Sequence, residues 1–223
     1  MALVLSRQSL RTLDEAEVRA QLPEPASSIT LSNNYLAAFS LLGPALPTLT
    51  SLDLTCNELC QLPQLDAARG LRRLCLGHNR IGDLNVPLLL PCLVELDLQH
   101  NQLAVLSPLA GCPALKRLSL SCNPIARVSA DARFPRLQRL GMFGHALPDL
   151  DPLEGLIAGS PELRRLTVAG GACTPAAGPD VPHSPEQQQW RLRLLRAQPS
   201  IRWLDCEYVD AKTRWAAACP AES

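Results

Sequence analysis

Aromatic residues are scarce in this chain: 3 Trp, 2 Tyr and 3 Phe among 223 residues. So few rings give little support to recognition of nucleic acid by base stacking. Net charge is lacking as well, with 21 Lys+Arg against 21 Asp+Glu, which is not the basic balance of a dedicated nucleic-acid binder. Lysine occurs only at Lys116 and Lys212, so the cationic surface is built from arginine. No apolar run is long enough to span a membrane. The phosphate-cradling, dinucleotide-binding, nucleophile-elbow and H-E-x-x-H zinc motifs are all missing, and four histidines leave little for a catalytic triad. The expectation is a protein without catalytic residues, cofactor, metal, small-molecule substrate or membrane contact.

Nine cysteines, an odd number, do not suggest a disulfide framework. The apolar stretch Ala2–Leu5 is far too short for the core of a secretory signal, so free thiols in a reducing, cytoplasmic setting are expected. Ser6, Arg7, Ser9 and Arg11, with no acid before Asp14, faintly resemble a mitochondrial presequence, but mitochondrial targeting is not expected.

What the chain has in excess is leucine: 44 residues, about one in five. The leucines recur. Segments starting at Leu49, Leu71, Leu93, Leu115 and Leu137 read LTSLDLTCNEL, LRRLCLGHNRI, LVELDLQHNQL, LKRLSLSCNPI and LQRLGMFGHAL, each 22 residues after the last. A copy at Ala26 precedes them by 23 residues, and one at Leu163 follows by 26. Within each copy the x-L-x-L-x stretch alternates with period two, as a half-buried strand does. Beyond the eleventh position, apolar residues recur every third place (Leu62 and Leu65; Leu106 and Leu109), which suits 3-10 or extended turns. Each repeat should therefore give one short strand and one tight return, with the strands stacked in parallel about 4.8 Å apart. The recurrent Asn34, Asn57, Asn79, Asn101 and Asn123 read as structural, satisfying backbone groups where the strand turns. His145 and Gly171 replace them in the last two copies, so looser geometry is expected there.

Stacked repeats need caps. Residues 1–25 are assigned to an N-terminal cap helix, on the capping box Thr12–Glu15 with Leu13, Val18 and Leu22 ahead of Pro23. Residues 26–173 are the repeats and 174–185 a Pro/Ala/Gly loop. Residues 186–223 are the C-terminal cap: a helix to about Ala197 with Pro185 at its first turn, then a strand-like segment Ile201–Asp205. Trp203 and Leu204 are expected to seal the apolar edge of the last repeat.

The pattern L-x-x-L-x-L-x-x-N-x-L resembles that of leucine-rich repeats, in the 22-residue class seen in a nuclear regulator of protein phosphatase 1. The tail, through Trp190-Arg191, Pro199, Ile201, Leu204-Asp205, Val209 and Thr213-Arg214, resembles the cap motif of that class. The resemblance covers about residues 26–214 and implies an α/β solenoid, a horseshoe with a parallel concave sheet, 3-10 or extended convex turns and helical caps. Spliceosomal small nuclear ribonucleoprotein A-prime, axonemal dynein light chain and ciliary assembly factors share this plan. The resemblance therefore implies a non-enzymatic adaptor in a large intracellular assembly, the ciliary or flagellar axoneme first. A nuclear A-prime-like subunit, meeting RNA only through a protein partner, and a phosphatase-1 regulator are the alternatives.

With leucines at positions 4 and 6 inside, positions 3, 5 and 7 face the concave surface. Position 3 carries Arg73, Glu95, Arg117, Arg139 and Arg165; Asp53 and Asp97 at position 5 make the earlier half acidic. Neighbouring arginines about 5 Å apart repel by about 1 kcal/mol in high dielectric. The row reads either as a solvated strand edge or as a docking strip for an acidic helix or tail. Phe143 is the one large residue among otherwise small neighbours and could anchor a partner. Cys56, His78, His100 and Cys122 share position 8, but a row at repeat spacing spans about 15 Å, whereas zinc ligands lie about 2.0–2.3 Å from one ion. The partner-binding residues assigned on this basis are Arg73, Glu95, Asp97, Arg117, Arg139, Phe143 and Arg165.

Overall fold

The computed structural model describes residues 2–12, 27–39, 48–65, 67–84, 88–107, 109–175 and 184–218. The seven copies give seven short strands: β2 (Ser28–Thr30), β3 (Ser51–Asp53), β4 (Arg73–Cys75), β5 (Glu95–Asp97), β7 (Arg117–Ser119), β9 (Arg139–Gly141) and β10 (Arg165–Thr167). They pair in parallel and without slippage, so Ile29, Leu52, Leu74, Leu96, Leu118, Leu140 and Leu166 form one row. That row and the leucines two residues on are buried, as are those at the start and the eleventh place of the repeats. Burying each such leucine contributes about 1.5–3 kcal/mol. Two further strands, β6 (Val105–Leu106) and β8 (Arg127–Val128), pair in parallel on the return side.

The asparagine ladder has a precise chemistry. Each side chain accepts from a backbone N–H of the preceding repeat and donates to carbonyls of both repeats. Asn101 Oδ1 accepts from Ile81 N at 3.0 Å, and its Nδ2 donates to the carbonyls of Leu76 at 2.9 Å and Leu98 at 3.0 Å. Asn79 and Asn123 repeat these contacts. The residue before each asparagine (Asn33, Cys56, His78, His100, Cys122) takes a left-handed φ, which turns the chain out of its strand.

The ladder begins earlier than the repeats read from sequence. β1 (Ala2–Val4) pairs in parallel with β2, and Asn34 Oδ1 accepts from Gln8 N and Leu10 N. Residues 2–12, expected within an N-terminal cap helix, therefore form a strand and turn of repeat character. The helix expected between Thr12 and Leu22 lies outside the described residues.

The C-terminal end is helical. α1 (Asp151–Ala158) occupies the return of the long sixth copy, where extended or 3-10 turns were expected; its four extra residues allow two helical turns that bury Leu153, Leu156 and Ile157. α2 (Pro185–Ala197) runs to Ala197 with Pro185 in its first turn, as the sequence indicated; it starts at a capping box formed by Ser184 and Gln187 and buries Trp190, Leu194 and Leu195. β11 (Trp203–Leu204) continues the parallel sheet beside β10, and β12 (Glu207–Tyr208) closes it antiparallel, ahead of α3 (Ala211–Ala218). Asp205 ends the ladder: its Oδ1 accepts from Val168 N at 2.7 Å and Ala169 N at 2.9 Å. Burial pushes its carboxyl up from the usual range, against those two bonds and Arg191, 3.8 Å from Oδ2.

Candidate functional site

The strands are three residues long, so each shows the concave face two side chains, one on either side of a buried leucine. The in-register pairing lines these up into two rows across the solenoid. One row runs Arg73, Glu95, Arg117, Arg139, Arg165 and then Trp203; the other runs Asp53, Cys75, Asp97, Ser119, Gly141 and Thr167. Five of the assigned residues, Glu95, Asp97, Arg117, Arg139 and Arg165, line one depression of about 330 Å³ floored by Ser119, Ser121, Gly141 and Thr167. Arg73 lies outside this depression, beside Glu95. Phe143 is also outside it, exposed with its ring against Gly170 and its backbone N–H donating to Ser121 Oγ at 3.3 Å.

The arginines are not equivalent. Arg117, Arg139 and Arg165 are consecutive in the row, with no acid between them, but each has different neighbours. Glu95 Oε2 bridges Arg73 at 3.1 Å and Arg117 at 3.3 Å. Both arginines are about half exposed, so each pair contributes at most about 1 kcal/mol. Arg165 lies over the Trp203 ring, 5.3 Å from its centroid. Among the described residues, Arg139 makes no ion pair. Asp97 accepts from Gln99 N at 3.0 Å, and burial raises its carboxyl from the usual range. Burial and then the neighbouring Asp53 and Asp97 push the Cys75 thiol up to about 11, so it stays protonated at neutral pH.

Trp203 and Tyr208 were missed as surface residues. Leu204 is buried as expected, but Trp203 is 38% exposed and meets Tyr208 edge-on at 5.5 Å. The signal was present, since Ile201-x-x-Leu204 repeats the L-x-x-L opening of a copy and puts Trp203 at position 3. At position 8, the rings of His78 and His100 stack at 4.2 Å with nearly parallel planes, which aims their nitrogen lone pairs side by side instead of at one point. Among the described residues no three metal-ligating side chains converge.

Models of the leucine-rich repeat match residues 45–59 and, as two copies, residues 93–132. No curated protein sequence matches the chain. Among solved structures, an internalin of Listeria monocytogenes superposes with a TM-score of 0.64 at 19% identity, covering 91% of this chain and 59% of that one. A leucine-rich-repeat protein of Leptospira interrogans gives 0.57 at 23% identity, covering 90% and 54%. The SNF/U2A' complex of Drosophila melanogaster gives 0.49 at 27% identity, covering 63% and 75%. This chain thus spans little more than half the length of the first two, and at that identity the likeness is one of fold. With the repeat in the sequence, the stacked parallel strands and the matching solved structures, this is a leucine-rich-repeat solenoid.

Proposed function

We propose that the protein is a non-enzymatic adaptor that holds a protein partner on its concave face, as a structural subunit of a large intracellular assembly. The observation that carries this reading is the depression between Glu95 and Arg165, where arginines on three consecutive strands stand over a floor of small side chains. A floor of that kind admits a partner's backbone, and the arginines, which outnumber the acids beside them, steer a complementary segment toward it. Phe143, Trp203 and Tyr208 add rings of the kind that dominate binding energy at protein interfaces. The ciliary or flagellar axoneme is the proposed setting, supported by the resemblance of the 22-residue repeats and cap motif to axonemal proteins. Nuclear residence would favour the A-prime-like or phosphatase-regulating alternatives.

The test compares baits in cell extract. Proteins retained by the parent chain should be lost when Arg117, Arg139 and Arg165 are all changed to Glu, with the melting temperature little altered. Raising salt on the parent should have the same effect, since exposed charge contacts are screened beyond about 8–10 Å at physiological ionic strength. Phe143→Ala should weaken capture by about 1–3 kcal/mol. Identical partner sets from all three baits would move binding off the concave face. Imaging the tagged chain in flagellum, nucleus or mitochondrion decides the setting.

A further inference from the structure

The charge on the concave face is ordered along the solenoid. Glu95 is shared by Arg73 and Arg117 and offsets one of their two charges, whereas Arg139, which has no ion pair among the described residues, and Arg165, held over Trp203, have no carboxylate paired with them. They sit in register on adjacent strands, β9 and β10. At the other end, Asp53 and Asp97 lie two strands apart on either side of Cys75, and neither makes an ion pair among the described residues. The face thus offers a positive pair toward the cap and a negative pair toward the early repeats.

The spacing selects a conformation for the occupant. Adjacent strands lie about 4.8 Å apart. A helix laid across them presents same-face residues three and four apart at rises of about 4.5 and 6.0 Å, which bracket that step. An extended segment along the same line repeats its side chains only every 6.6–6.8 Å or so, and slips by almost half a step at each strand. The order of charge then selects a direction, because carboxylates are stabilised in the first turn of a helix and cations in its last.

Building on the concave-face reading above, we infer that the occupant is a single partner helix crossing the strands antiparallel to the repeat order. Its N-terminal half carries two carboxylates three or four residues apart over Arg139 and Arg165, and a basic residue further on lies over Asp97. From β9 to β5 is two strand steps, about 10 Å, which puts that basic residue about six or seven positions after the second acid. The floor at Ser119, Gly141 and Thr167 leaves room for the helix backbone, and Trp203, against Arg165, flanks its acidic end.

The test is a selection. A displayed library of helices about 16 residues long, enough to cross four strand steps at 1.5 Å per residue, is randomised on one face and selected on the full chain. The same chain carrying Arg139→Glu and Arg165→Glu, checked for an unchanged thermal melt, serves as counter-target. Selected helices should carry the acid pair in their N-terminal half and the basic residue six or seven positions later. They should bind the parent at least about tenfold more tightly than the double variant. Exchanging the two ends of one such helix at constant composition should cost about tenfold. Helices without the acid pair, or indifferent to the exchange, overturn this inference; if they still lose affinity for the double variant, the concave-face reading stands. Helices held equally by the double variant overturn both, and a library that yields no binder overturns the helical occupant.

Discussion

Asn101 shows how one side chain joins two repeats. Its amide serves a backbone donor of the preceding turn, Ile81 N, and carbonyls on both sides, and it is 6% exposed. Asn101→Ala would strand that N–H away from water, where a buried orphan costs about 1–3 kcal/mol. Urea denaturation should show a loss of at least that size. Gln102→Ala, one residue on and exposed, should stay within about 0.5 kcal/mol of the parent. Equal losses for the two would mean that the ladder's bonds are replaceable by water.

At the scale of the element, the junction between the sixth and seventh copies differs from the rest, because His145 stands where asparagine stands before it. Its Nδ1 accepts from Leu147 N at 3.2 Å, while Nε2 lies 3.0 Å from Thr174 Oγ1, which itself donates to the Val168 carbonyl at 2.6 Å. The ring therefore sits neutral with its proton on Nε2, and protonating Nδ1 would set two donors face to face. Burial lowers the His145 pKa from its ordinary 6.5, so as pH falls through that value the unfolded chain takes up the proton first. The contribution of this junction is complete above about pH 6.5 and is lost below it. His145→Asn should flatten the fall in melting temperature between about pH 7.5 and 5.5, as followed by circular dichroism; a parent whose melting is already flat there would contradict this.

Much of this element-scale order was legible, and the failures have particular causes. Leucine spacing located all seven repeat strands, because a buried row in a parallel sheet tolerates no shift of register. β1 escaped notice because its copy has Gln8 in place of asparagine. α1 escaped because periodicity over so short a return does not separate helix from 3-10 turn; the 26-residue length marked the return of the sixth copy as different without saying how it folds. The rows of the concave face were readable from register alone. The sharing of Glu95 by two arginines was not, since it depends on where three long side chains end.

Over the whole molecule, stability rests on an unbroken chain of neighbours from β1 to the cap. Every repeat packs against the one before and the one after, so an uncovered end propagates. The cap is tied down by more than apolar contact. Arg193 of α2 pairs with Asp151 at 3.0 Å and Glu154 at 2.8 Å in α1, and Gln198 Nε2 donates to the carbonyls of Ile157 and Ser160. Truncation after Gly178 should bare the β10 edge together with Leu156, Ile157 and Leu166, and drive the chain to aggregate. Gel filtration with a melting curve decides this, and a monomeric fragment that melts with the parent would refute it.

The in-register stacking also makes the solenoid a ruler, graduated in single strand steps. Because Asn79, Asn101 and Asn123 make interchangeable bonds to their neighbours, a duplicate of residues 93–114 could be spliced in behind the original with its hydrogen bonds met on both sides. Such a graft would leave both ends of the array untouched and move Asp53 about 4.8 Å further from Arg139 for each copy added. The separation between acidic and basic ends is thus a length that gene duplication can reset in whole units, independently of the chemistry at either end.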